Sequence, residues 1–371
     1  MISRMGGVRW LGLSCCLISI AFAPLQGAES KGGAAAGAAG PRNSSRDLQA
    51  PIIGFVAQPA PSFRRAIGRS SASQIRPTLN VRPVMGLPGA AALGSALSLP
   101  GDLTSVEISP TQTYLIAERG ANDPPALLSL GSAGAGPELT ISGAFSRSDR
   151  VEFSLSGSAA ALYSVSMQRI QVITGLPGAP QVSQQFDVSS FPAPLVSLAV
   201  SDDGTALLAG VFDLNTRGIY FISAGNGIRR VASAKFPAAV RFVSQADSAV
   251  VADSEANQVL LLSDLTGAVT SSVLAGAADG ARTPNQIEVI AGGKAALVSN
   301  EGSDGLIWID LTNSKLTPVS FRFRVEGLQA VAGAPLVFIS SEPASLWLVN
   351  QTTGGPSVTY VPASVGSGSL P

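Results

Sequence analysis

Carboxylates and amides, rather than nucleophiles, are the side chains with which this sequence could do chemistry. Histidine is absent from all 371 residues, which removes the commonest general base, metal ligand and triad partner together. Both cysteines, Cys15 and Cys16, lie in an N-terminal apolar stretch. A chain cleaved beyond them has no thiol for a disulfide, a thiolate nucleophile or cysteine-ligated zinc. Serines are many, but a Ser–Lys pair is the one dyad left. None of the four lysines (Lys31, Lys235, Lys294, Lys315) stands in a Ser-x-x-Lys context. No catalytic residue is assigned and no cofactor is expected.

Two constellations remain. Glu107, Glu152, Arg241, Glu288 and Gln329 stand in or near the first apolar segments of successive repeats. Facing a common axis, they would make a polar, mostly acidic channel. The second set lies in loops between apolar segments. It comprises Glu118, Arg119 and Asp123; Asp213, Asn215 and Arg217; Asp253, Glu255 and Asn257; Asn300, Glu301 and Asp304; and Glu342. Oxygen donors of this kind suit a hard cation such as Ca²⁺, which takes six to eight of them. No Asp-x-Asp-x-Asp run with the matching spacing occurs, and polar loops are what any solvated turn requires. The expected ligand-binding residues are Glu107, Glu152, Arg241, Glu288, Asp253, Asn257, Asn300, Glu301 and Asp304, with no metal assigned.

What must position these residues is a repeated phrase. Turns at Thr113, Ser158, Thr205, Ser248, Lys294 and Ala334 are spaced 40–47 residues apart. Each precedes an apolar segment such as Tyr114-LIA, Ala206-LLA or Ala249-VVA. A polar loop and a third apolar segment, such as Gly218-IYFI or Leu306-IWI, follow. Fourth segments come after turns such as Asp264-LTG-Ala268. Four short strands in this length are one propeller blade, and strands apolar on both faces suit blades sandwiched between neighbours. The expected fold is all-β, a β-propeller of four-stranded blades. Seven blades with one incomplete are expected, and six are the alternative, because residues 51–89 read as the outer two strands of a further blade. Closure would join strands from both termini.

The phrases Val250-VADSEANQVLLLSDLTG-Ala268 and Leu297-VSNEGSDGLIWIDLTN-Ser314 resemble the YVTN-type repeat of bacterial seven-bladed β-propellers, and Ser201-DDG is similar to its Ser-Pro-Asp-Gly turn. The resemblance covers roughly residues 100–362 and departs at Thr111-Gln112 and Ala332-Gly333. It implies a blade, not an activity. Some propeller lactonases hold a channel metal with acidic and amide side chains.

Arg4 and Arg9 followed by Leu11–Ala23 and small residues up to Ala28 read as an export signal over residues 1–28. Residues 29–50, small and polar, read as a flexible linker, and 51–371 as the propeller. The expected location is periplasmic or extracellular, with no membrane insertion after cleavage. With 24 acidic and 24 basic residues there is no net field to attract nucleic acid. The arginines at 64, 65, 69 and 76 read as a solvated loop. Two functions follow. One is a non-catalytic exported scaffold binding a protein, glycan or small ligand on its loop-rich face. The other is a lactonase-like hydrolase with a divalent cation in its channel.

Overall fold

In the computed structural model, which describes residues 50–59, 79–120, 123–132, 134–244, 246–341, 345–352 and 355–362, all six repeats become four-stranded antiparallel sheets. A seventh sheet precedes them, built from β1 (Ile52–Pro59), β2 (Leu79–Leu87) and β3 (Ala90–Leu93). The second blade is β4 (Ser105–Ile108), β5 (Tyr114–Glu118), β6 (Ala126–Gly131) and β7 (Gly134–Thr140). The third is β8 (Arg150–Phe153), β9 (Ala160–Ser164), β10 (Arg169–Thr174) and β11 (Gln181–Asp187). The fourth is β12 (Leu195–Val200), β13 (Ala206–Val211), β14 (Gly218–Ser223) and β15 (Gly227–Ala232). The fifth is β16 (Pro237–Ser244), β17 (Ser248–Asp253), β18 (Gln258–Ser263) and β19 (Thr270–Ala275). The sixth is β20 (Pro284–Ile290), β21 (Ala295–Asn300), β22 (Gly305–Asp310) and β23 (Lys315–Ser320). The seventh is β24 (Val325–Val331), β25 (Leu336–Ser341), β26 (Ser345–Thr352) and β27 (Gly355–Val361). Residues 1–49, where the sequence suggests an export signal and most of a linker, the four arginines at 64, 65, 69 and 76, and Glu342 lie outside the described residues.

Burial grades across each blade. All six residues of β13 and of β21 are buried, whereas β11 and β19 are largely exposed. A strand packed on both faces must be apolar on both, and the rim strand need not be. The core is accordingly a set of seams between blades. Ile170 and Val172 of the third blade pack with Leu198 and Leu207 of the fourth, and equivalent seams join each later pair. Val84 and Leu93 of the first blade pack with Phe338, Leu348 and Val361 of the seventh. Phe55 and Val81 pack with Val106 and Leu115 of the second. The ring is therefore closed through the first blade. A backbone bond from Leu93 N to Pro362 O, 2.9 Å, adds a tie near the two chain ends.

The first blade holds three strands where the sequence suggested two, and they take the second to fourth positions. β1 packs on the second strand β25, so closely that a Cβ on Gly54 would stand 2.7 Å from the Phe338 ring. The turns of the second and seventh blades, which flank it, bond directly across the place of an inner strand, Ala332 N to Pro110 O at 2.7 Å. Phe55 lies opposite Pro83, and its own N–H and C=O turn away from β2. Two glutamine side chains meet them. Gln112 Oε1 accepts from Phe55 N at 2.7 Å, and Gln329 Nε2 donates to Phe55 O at 3.0 Å. These amides substitute for the peptide groups of a neighbouring strand and satisfy a sheet edge that burial would otherwise penalise.

This explains where the repeat departs from its pattern. In the turns opening β9 and β13, Gly157 (φ +73) and Gly204 (φ +70) donate to Ser154 O and Ser201 O. Gln112 occupies the same turn position with φ +62 and donates to Ser109 O. A non-glycine residue in the left-handed region costs about 1 kcal/mol. Here that cost accompanies the cap on Phe55.

Candidate functional site: the channel and the loop face

The first strands β4, β8, β12, β16, β20 and β24 wall a central cavity of about 520 Å³. Because these strands occupy equivalent places in the repeat, they bring Glu107, Glu152, Arg241, Glu288 and Gln329 to one space. A second cavity of about 260 Å³ shares Arg150, Glu152, Arg241, Gln286, Glu288 and Leu328 with the first, so these residues form the waist between the two. At the waist Arg241 bridges two glutamates. Its Nη1 lies 3.1 Å from Glu152 Oε2 and its Nη2 3.6 Å from Glu288 Oε1.

The Glu107 side chain stands apart, open to the channel space, with no hydrogen bond or ion pair among the described residues. The protein mass around it, reinforced by the Glu152 and Glu118 carboxylates and only partly offset by Arg241, pushes its carboxyl up to about 7. Burial likewise pushes Glu288 up to about 7, with Arg241 pulling back and Glu152 adding to the rise. Burial opposes the charge on Arg241, but Glu152 and Glu288 together outweigh it and hold its pKa above the ordinary value. Arg241 thus faces three carboxyls, two of which titrate near neutrality, while Arg150 and Asp149, which also line the cavity, bond to the backbone of Val196 and Val165.

These donors do not suit a divalent cation. Among the described residues no three acidic side chains are grouped to share one, and the Arg241 guanidinium fills the space between Glu152 and Glu288. A hard cation there would lack its six or more oxygens and face a fixed positive charge.

The second-to-third-strand loops and the inter-blade connectors share one face. Here most polar candidates are turned inward to backbone. Asp253, buried at the end of β17, accepts from Lys235 N (2.8 Å), Phe236 N (3.0 Å) and Ala256 N (3.2 Å). Asn300, buried at the end of β21, accepts from Arg282 N (3.0 Å) and donates to Gly280 O (3.1 Å). Asn257 Oδ1 accepts from Thr283 N at 2.7 Å. Glu118 joins blades by accepting from Ser105 Oγ and Ser148 N. Each places an acceptor where a connector would leave N–H groups unpaired. Glu301 pairs with Arg324 at 2.5 Å, and Asp304 is exposed.

Two features of that face escaped the sequence reading. Phe212 stacks edge-to-face on Phe236, ring centroids 4.9 Å apart, and Leu214 beside it is 86% exposed. The signal was present, a bulky apolar residue between Asp213 and Asn215 in an otherwise polar loop.

No family model matches the chain, and no curated protein matches it. Solved structures do. The crystal structure of RRP9 WD40 repeats aligns with a TM-score of 0.50 at 13% identity, covering 71% of this chain and 81% of the other. The structure of U3-55K gives 0.50 at 13%, covering 70% and 82%. A functionally unknown protein from Desulfotomaculum acetoxidans gives 0.49 at 12%, covering 67% and 78%. The fold is a WD40-like, seven-bladed β-propeller. At such identities the likeness concerns the fold alone.

Proposed function

We propose that this protein is an exported, non-catalytic propeller of the YVTN-repeat type that docks a protein partner on its loop face. The observation that carries the reading is the apolar group formed by Leu214, Phe212 and Phe236. Large apolar side chains held out of a core mark interaction surfaces, and aromatic anchors rimmed by polar groups are the pattern of binding hot spots. Asp213, Asn215, Arg217, Lys235 and Glu255 supply that rim. Export rests on the N-terminal signal-like segment alone. The absence of histidine and the mismatch of the channel to a divalent cation weigh against the lactonase-like alternative.

The test is Leu214→Asp. Its side chain contributes almost nothing to the core, so the melting temperature should stay within about 2 °C of the parent. Partner affinity should fall roughly tenfold or more, the loss of about 1.4 kcal/mol or above expected of an anchor. Unchanged affinity would remove the loop face from the account.

A further inference from the structure

We propose that the larger channel cavity binds a small ligand carrying a protonated amine on a short apolar body. The space is concave and of small-molecule size, about 520 Å³. Its walls are mainly polar, with convergent charges beside an apolar strip that Phe153 and Leu155 of the third blade offer to a ligand. Nothing in this argument depends on the loop face.

The charges select the class of ligand. Arg241 is engaged by Glu152 at 3.1 Å and Glu288 at 3.6 Å, which leaves Glu107 as a carboxyl without a counter-charge. An anion entering the cavity would meet four carboxyls (Glu107, Asp149, Glu152, Glu288) and two guanidiniums already in use, Arg241 on the glutamates and Arg150 on Val196 O. A neutral guest would leave the Glu107 charge, which is open to the cavity, uncompensated. A divalent ion lacks a grouped oxygen set. An ammonium group needs one carboxylate and a few acceptors, and its aliphatic stem would lie on Phe153 and Leu155.

Proton linkage follows from the groups facing Glu107. These are Glu118 from β5, Glu152 from β8, Arg241 from β16 and Glu288 from β20. The surrounding protein and the like charges keep Glu107 partly protonated near neutrality, with a pKa of about 7. An arriving cation favours the ionised carboxylate, so binding releases a proton and strengthens as pH rises through 7.

The experiment is titration calorimetry of the mature chain with n-hexylammonium, using hexanoate as the matched anion. The expected result is one saturable site for hexylammonium and none for hexanoate. Affinity should be roughly tenfold weaker at pH 5.5 than at pH 8, and Glu107→Gln, checked for folding by near-UV circular dichroism, should weaken it about tenfold. If Glu107→Gln does not fold, the pH dependence of the parent decides alone. Equal binding of hexanoate, no hexylammonium site, or an affinity independent of pH overturns the proposal.

Discussion

Replacing Gln112 with methionine should destabilise the protein by about 1–3 kcal/mol, the cost of stranding a buried backbone donor. Methionine fills nearly the same volume, and the left-handed backbone at this position stays strained in both forms. What changes is the 2.7 Å bond from Phe55 N to the side-chain oxygen, and the buried Gln112 Nε2, which has no hydrogen-bond partner, is removed with it, so the cost falls toward the lower end of that range. Gly54 leaves little room for a compensating shift, because the Phe338 ring lies against it. Gln112→Gly loses the same bond and relieves the left-handed strain of about 1 kcal/mol, but it also empties the buried site that methionine fills, so it should be no more stable than Gln112→Met. Gln329→Met strands Phe55 O, now 3.0 Å from the amide nitrogen, and should cost a similar or smaller amount. Denaturant unfolding of the four proteins measures these differences directly. The reasoning is refuted if Gln112→Met and Gln329→Met both stay within about 0.5 kcal/mol of the parent.

Glu288 offers a test by pH. Its carboxyl is ordinary (4.5) when unfolded and about 7 when folded, so the folded state holds the extra proton. Stability from this group is full below pH 4.5 and is lost as pH rises through 7, by an amount on the order of 3 kcal/mol. Glu288→Gln mimics the protonated form and should flatten the fall in stability between pH 5 and 8, measured by denaturant unfolding. A slope unchanged by the substitution would show that the waist is not its source. At the acid end, Asp310 is held below its usual range by hydrogen bonds from Thr312, so its contribution disappears only below about pH 4. Asp253→Ala should cost about 2–4 kcal/mol, because Lys235, Phe236 and Ala256 lose a charged acceptor at once. Hydrogen exchange should speed at those three amides. Unchanged exchange there would contradict its role as the anchor of the connector.

The blades could be read from sequence because each is built by local rules that leave marks. The left-handed turn at Gly204 requires a residue like glycine, and doubly buried strands such as β13 and β21 must be apolar throughout. Equivalent placement in the repeat raised the condition that Glu107, Glu152, Arg241 and Glu288 face one axis, and in the structure they line one cavity. Three things were not legible. The cap that Gln112 gives Phe55 spans 57 residues, so the local pattern shows only a turn lacking its glycine. Asp253 and Asn300 look like loop ligands in sequence, yet their partners are backbone amides 17–20 residues earlier, fixed by the fold. The exposure of Leu214 depends on where its loop emerges, which an apolar letter cannot reveal.

The loop face as a docking surface is tested most directly by placing a photo-crosslinking amino acid at residue 214 in the cells that produce the protein. Asn226, exposed in the turn between β14 and β15 at the opposite end of the same blade, is the control position. The account predicts a discrete protein adduct from position 214, none from 226, and loss of the adduct when Phe212 is changed to serine. An adduct from 226 alone, or none from 214, contradicts it.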